Sequence, residues 1–115
     1  MALVLYHNPR CSKSRELLGL LEDRKVDVEV VRYLEDTLSR SDLEHLLASL
    51  PDPPSALVRQ DKRFAELGLD AARYTDAESV IALLLEHPEL MQRPILVAGD
   101  RGAIGRPPEQ ALALL

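Results

Sequence analysis

Three apolar patterns near the N-terminus leave little freedom of topology. Leu3, Val4 and Leu5 read as a short strand, closed by the turn residues His7, Asn8 and Pro9. Leu17, Leu18 and Leu21 then recur at helical spacing. Val26, Val28 and Val30 alternate with Asp27 and Glu29, the pattern of a half-buried strand. Strand, helix and strand make a β-α-β unit, and two parallel strands need such a crossover between them.

The rest of the chain alternates helix and strand signals differently. Ser41-Asp42-Leu43-Glu44 reads as a capping box, followed by Leu43, Leu46, Leu47 and Leu50 at helical spacing. Pro51, Pro53 and Pro54 stop that helix and form a loop. Thr75-Asp76-Ala77-Glu78 is a second capping box, leading to Val80, Ile81, Leu84 and Leu85, and Pro88 closes this helix. Ile95 to Ala98 and Arg101 to Gly105 flank Gly99-Asp100 and predict a hairpin. Pro107 or Pro108 can begin a last helix, through Leu112 and Leu115. The sequence therefore reads as one α/β domain over residues 1–115. Its order, β-α-β, a helical insertion, then β-β-α, is that of a thioredoxin-like fold with a helical insertion. Apolar residues make up 46% but aromatics only 3%, so the core is aliphatic.

Between the first strand and helix stands Cys11, the only cysteine. Helix-start N–H groups lack intrahelical partners and favour negative charge. Arg10, Lys13 and Arg15 surround the cysteine, and no acid lies between His7 and Arg15. Both features favour thiolate, the reactive form. Most lone cysteines are small buried hydrophobes, but this one has polar neighbours. With no second cysteine there is no internal disulfide and no Cys-rich metal site. An outside thiol must therefore resolve any product formed on Cys11, and glutathione is the obvious candidate. Ser14 can bond the thiolate or a bound oxyanion, or simply cap the helix. His7 can act as imidazolium or proton shuttle, or bond structurally to the turn. His45 and His87 are assigned to solvent-facing helical positions, and no histidine spacing suggests a metal site.

The string His7-Asn8-Pro9-x-Cys11-x-x-Ser14-Arg15 resembles the active-site loop of glutaredoxin-coupled arsenate reductases, the ArsC family. The resemblance continues at Leu57-Val58-Arg59, at Gln92-Arg93-Pro94-Ile95-Leu96-Val97 and at Ile104-Gly105-Arg106-Pro107-Pro108-Glu109, and is strongest to a short arsenate reductase-like branch. It implies reduction of arsenate to arsenite by Cys11. Arg59, Arg93 and Arg106 would be the anion ligands, glutathione a co-substrate and glutaredoxin the recycling partner. No tightly bound cofactor is implied. The Arg93-Pro94 bond would match the cis-proline that faces the active cysteine of that fold. Guanidinium forks suit tetrahedral oxyanions because they offer two parallel hydrogen bonds.

Two other readings remain open on the residues alone. One is glutathione-linked thiol exchange on another substrate. The other is a regulator of the Spx type that binds RNA polymerase, although redox-sensing members carry Cys-x-x-Cys where this chain has Cys11-x-x-Ser14. A phosphatase-like loop is disfavoured, because the Cys-x5-Arg spacing is not met after Cys11. The net charge of −5 argues against a nucleic-acid binder with a broad basic face. No apolar stretch approaches membrane-spanning length and no leader pattern is evident, so a cytoplasmic, reducing location is expected.

Overall fold

Leu3 and Leu5 face one side of the first strand while Val4 and Tyr6 face the other, and this alternation divides the interior in two. In the computed structural model, which describes residues 3–115, that strand is β1 (Leu3–Tyr6). It is followed by α1 (Ser12–Asp23), β2 (Glu29–Val31), α2 (Arg40–Ser49), α3 (Lys62–Glu66), α4 (Ala77–Glu86), β3 (Ile95–Ala98) and β4 (Arg101–Ile104). Short 3-10 segments lie at Pro54–Leu57, Ala71–Arg73, Pro88–Leu90 and Pro108–Leu114. The sheet order is β2-β1-β3-β4, with β2 parallel to β1 and the other pairs antiparallel. This is a thioredoxin-like fold with a helical insertion between its two halves.

One face of the sheet carries Ile95 and Val97 against Leu43, Leu46, Val80, Ile81 and Leu84 of the insertion. The other packs Leu5 and Leu96 against Leu17 and Leu21 of α1 and Ala111 of the final segment. Register then determines what gathers at one end of the sheet. Tyr6 pairs with both Val31 and Ile95, and Ile95 pairs with Ile104. The residues just after β1, just before β3 and just after β4 therefore meet. The His7 N–H donates to the Val31 carbonyl at 2.8 Å, and the Gly105 N–H to the Pro94 carbonyl at 2.8 Å.

Several local expectations need correction. The N-cap of α2 is Ser39, not Ser41, because Ser39 and Asp42 exchange both bonds of a capping box. Asp76, not Thr75, caps α4 by accepting from the Ser79 N–H. Leu83 is buried in α4, whereas Leu85 is 42% exposed. The valine-rich strand is shorter than its pattern, and Val30 is exposed because β2 is an edge strand. The final helical segment is 3-10 rather than α. His45 is exposed, but His87 is half-buried at the end of α4, with Glu89 3.4 Å from its Nδ1.

Candidate active site at the start of the first helix

The loop after β1 is built by its own polar side chains. The Asn8 side-chain oxygen accepts from the Arg10 N–H at 3.0 Å, and the Cys11 N–H donates to the Asn8 carbonyl at 3.0 Å. These bonds fold the turn back so that Cys11 becomes the N-cap residue of α1. Arg15 Nη1 donates to the Pro9 carbonyl at 3.1 Å and ties the first helical turn to the loop.

Ser14 is fully buried, and its hydroxyl is directed at the loop rather than at Cys11. Its Oγ accepts the Asn8 N–H at 3.0 Å and lies 2.8 Å from His7 Nδ1. Ser14 Oγ thus ties the His7 ring to the backbone of the turn. Burial, then the charges of Arg32 and Arg15, push the His7 pKa below its ordinary value. The shift disfavours the imidazolium form of His7.

Cys11 is more enclosed than its polar neighbours suggest, with 9% exposure. Burial pushes its thiol pKa up, but the Ser14 backbone N–H, the Arg93 guanidinium and the Lys13 backbone N–H outweigh it, and the net shift is downward. These N–H groups act through their field, because the Cys11 side chain makes no formal cap hydrogen bond. The side-chain cations that flank Cys11 in sequence are not the source. Lys13 pairs with Glu16 at 3.6 Å, and Arg15 serves the Pro9 carbonyl. The charge acting on the thiol comes from distant parts of the chain.

Arg106 Nη2 donates to Cys11 Sγ at 3.5 Å across 95 residues of sequence. Its Nε donates to the Arg93 carbonyl at 2.8 Å, so the two arginine segments brace each other. The Arg93-Pro94 and Arg106-Pro107 bonds are both cis. Gly105 makes this approach possible: a Cβ there would stand 2.9 Å from both Leu17 Cδ2 and Pro94 Cγ. Arg59 completes the group from the insertion. Its N–H donates to the Leu90 carbonyl at 2.7 Å, and its Nη1 lies 3.3 Å from Asp61 Oδ2. Burial, then Arg93, lowers the Arg59 pKa, while Asp61 opposes that shift and Arg106 adds to it. The structure thus brings Cys11, Arg59, Arg93 and Arg106 together, with one carboxylate against three guanidinium groups. Such an arrangement leaves positive charge unmatched beside a nucleophile, as binding of an oxyanion requires.

Asp61 and Tyr33 escaped the sequence reading. Asp61 caps α3 through one oxygen and pairs with Arg59 through the other. An Asp two residues from an arginine is too common to signal this. Tyr33, 1% exposed, is brought to the loop by the pairing of β2 with β1. A cleft of about 240 Å³ lies beside the cysteine loop, lined by His7, Asn8, Pro9, Arg10, Arg32, Leu34 and Glu35. Among the described residues no group of three or more His, Cys, Asp or Glu side chains converges as metal ligands would, and no helix is long and apolar enough to cross a membrane.

Residues 6–114 match the ArsC family model. An arsenate reductase of Haemophilus influenzae is 37% identical, with 100% of each chain covered. The uncharacterized protein YfgD of Escherichia coli K12 is 43% identical, covering 96% of this chain and 94% of its own. Among solved structures, an arsenate reductase from Vibrio cholerae superposes with a TM-score of 0.88 at 40% identity, covering 100% of this chain and 98% of that one.

Proposed function

The chain belongs to the ArsC family, and from that membership we propose that it is a cytoplasmic oxidoreductase that reduces arsenate to arsenite with electrons from glutathione and glutaredoxin. Arsenate binds among Arg59, Arg93 and Arg106, whose charges offset its own. The Cys11 thiolate attacks arsenic(V), forming an S–As bond as one oxygen leaves as water after protonation. Glutathione thiolate then attacks the Cys11 sulfur. The S–As electron pair stays on arsenic, which departs as arsenite, and a Cys11–glutathione disulfide remains. A glutaredoxin thiolate attacks the glutathione sulfur and returns Cys11 as thiolate. Two electrons reach arsenic, and two thiols become a disulfide.

The observation that carries this reading is the contact of the lone cysteine with Arg106, on an arginine-lined face at a helix start. His7, Asn8, Ser14, Arg15 and Pro94 act as supports that fix the loop and the arginine segments. The chain's own cysteine count supports an external resolving thiol. The test is arsenate-dependent NADPH oxidation in the presence of glutathione, glutaredoxin and glutathione reductase, with Cys11→Ser as control. Activity lost in the control supports the proposal. Absence of arsenate-dependent turnover, with Cys11 still forming and releasing a glutathione disulfide, would assign the protein to general glutathione-linked thiol exchange instead.

A further inference from the structure

Two buried side-chain polar atoms have no hydrogen-bond partner among the described residues: Tyr33 Oη and Arg93 Nε. Buried polar groups are nearly always paired, so an unpaired one points to something missing. Both belong to residues that face Cys11. Tyr33 follows β2 by two residues, and the Val31 carbonyl accepts the His7 N–H at 2.8 Å, which sets Tyr33 alongside the cysteine loop. Its ring packs within the core formed by Leu43, Leu84 and Met91. After burial, the groups acting on its hydroxyl are Arg93, the Asn8 side chain, which approaches the oxygen as a donor and so leaves the hydroxyl proton without an acceptor, then Cys11 and Arg59. Burial also holds the hydroxyl protonated, so at neutral pH it is a donor. Arg93 Nε can only donate. Two donors without an acceptor, beside three cationic groups, lack an oxygen that accepts from both.

We propose that the Tyr33 hydroxyl is a further contact of the oxyanion, donating together with Arg93 Nε to one of its oxygens. This rests on the oxyanion reading of the site. The hydroxyl is closed off in the free protein, so Arg93 must shift as the anion enters. Its guanidinium is held by one long bond of 3.4 Å from Nη1 to the Glu89 carbonyl and by its attraction to the Cys11 sulfur. The other arginines supply charge to the anion, whereas Tyr33 supplies a neutral, rigidly placed donor at the inner end of the site. Its contribution is thus to affinity for the oxygens and not to the reactivity of the thiol.

Tyr33→Phe in the full chain separates these roles. Without anion, the variant should titrate at Cys11 like the parent, alkylate with iodoacetamide at the parent rate, and unfold at the parent temperature or above it, since an unpaired buried hydroxyl is removed. With sulfate or arsenate present, protection of Cys11 from alkylation should need at least fivefold more anion. The arsenate KM should rise by a similar factor, with kcat changed less. Equal protection in parent and variant overturns the assignment. So does a variant that fails to fold or melts earlier without anion, because the hydroxyl then has a structural partner. A parent protected by neither anion overturns the oxyanion reading itself, and Tyr33's part with it.

Discussion

Burial alone would hold Cys11 as a thiol; backbone N–H groups of the first helical turn and the Arg93 guanidinium reverse that preference. Replacing Arg93 with Gln removes the charge and keeps a polar side chain of moderate length. The Cys11 midpoint, followed by thiolate absorbance against pH, should rise, and alkylation at neutral pH should slow. An unmoved midpoint would locate the activation in the helix start alone. Ser14 makes a different contribution. Its hydroxyl serves both His7 and the Asn8 N–H in a buried setting, so Ser14→Ala leaves two groups unsatisfied and should cost about 1–3 kcal/mol in urea unfolding. His7 adds a pH dependence. Its pKa is lowered in the fold, so below the ordinary value of 6.5 the unfolded chain takes a proton that the native state refuses. Stability conferred by neutral His7 is complete above that value and is lost as pH falls beneath it. His7→Asn should flatten the fall in unfolding midpoint between about pH 7.5 and 5.5; a parent-like slope would acquit His7. At this scale the sequence announces Cys11 through its loop, but not the charge that acts on it. Sequence neighbours such as Lys13 and Arg15 are spent on Glu16 and the Pro9 carbonyl, while the effective guanidinium groups arrive through strand pairing.

Elements were legible in kind and order because their periodicities are strong, and less legible at their ends. Ser39 and Ser41 each precede an acid by three positions, Asp42 and Glu44, and only the reciprocal bonds of Ser39 with Asp42 decide between them. Val30 follows the alternation of a buried strand, yet the edge position of β2 leaves it exposed. The close approach of three elements at Gly105 leaves no periodic signal at all. That contact positions Arg106, the residue that touches Cys11, against both α1 and the Arg93-Pro94 segment. A methyl group at Gly105 would stand 2.9 Å from Leu17 Cδ2 and Pro94 Cγ. Gly105→Ala should therefore destabilise the fold by about 1–3 kcal/mol, the usual cost of overpacking. It should also weaken sulfate protection of Cys11 more than Gly19→Ala does, since a Cβ at Gly19 meets nothing within 4 Å. Full stability and unchanged protection in Gly105→Ala would show that the segments slide apart freely and that Arg106 is not set by this contact.

Across the whole molecule the two apolar clusters share one sheet, and this decides how the protein should unfold. Val97 and Leu96 are successive residues of β3, yet they belong to opposite clusters, as do Tyr6 and Leu5 of β1. Neither face can lose its packing without releasing strands that the other face needs. A single cooperative transition is therefore expected. The distribution of aromatic residues makes the coupling measurable. Tyr6 and Tyr33 lie in the cluster beneath the insertion, while the cluster with α1 is wholly aliphatic among its buried members. Leu21 is fully buried in that aliphatic cluster, and Leu21→Ala should cost about 2–5 kcal/mol. The tyrosine near-ultraviolet signal comes from the opposite face, yet its midpoint in urea should fall together with the far-ultraviolet helical signal. Arsenate should then raise both midpoints in parallel, by about 2.7 kcal/mol at one hundred times its dissociation constant. If Leu21→Ala instead lowers the helical signal and leaves the tyrosine midpoint in place, the insertion and its sheet face form a unit that survives without α1. The arginine from that insertion would then be brought to Cys11 by docking between two units and not by one fold.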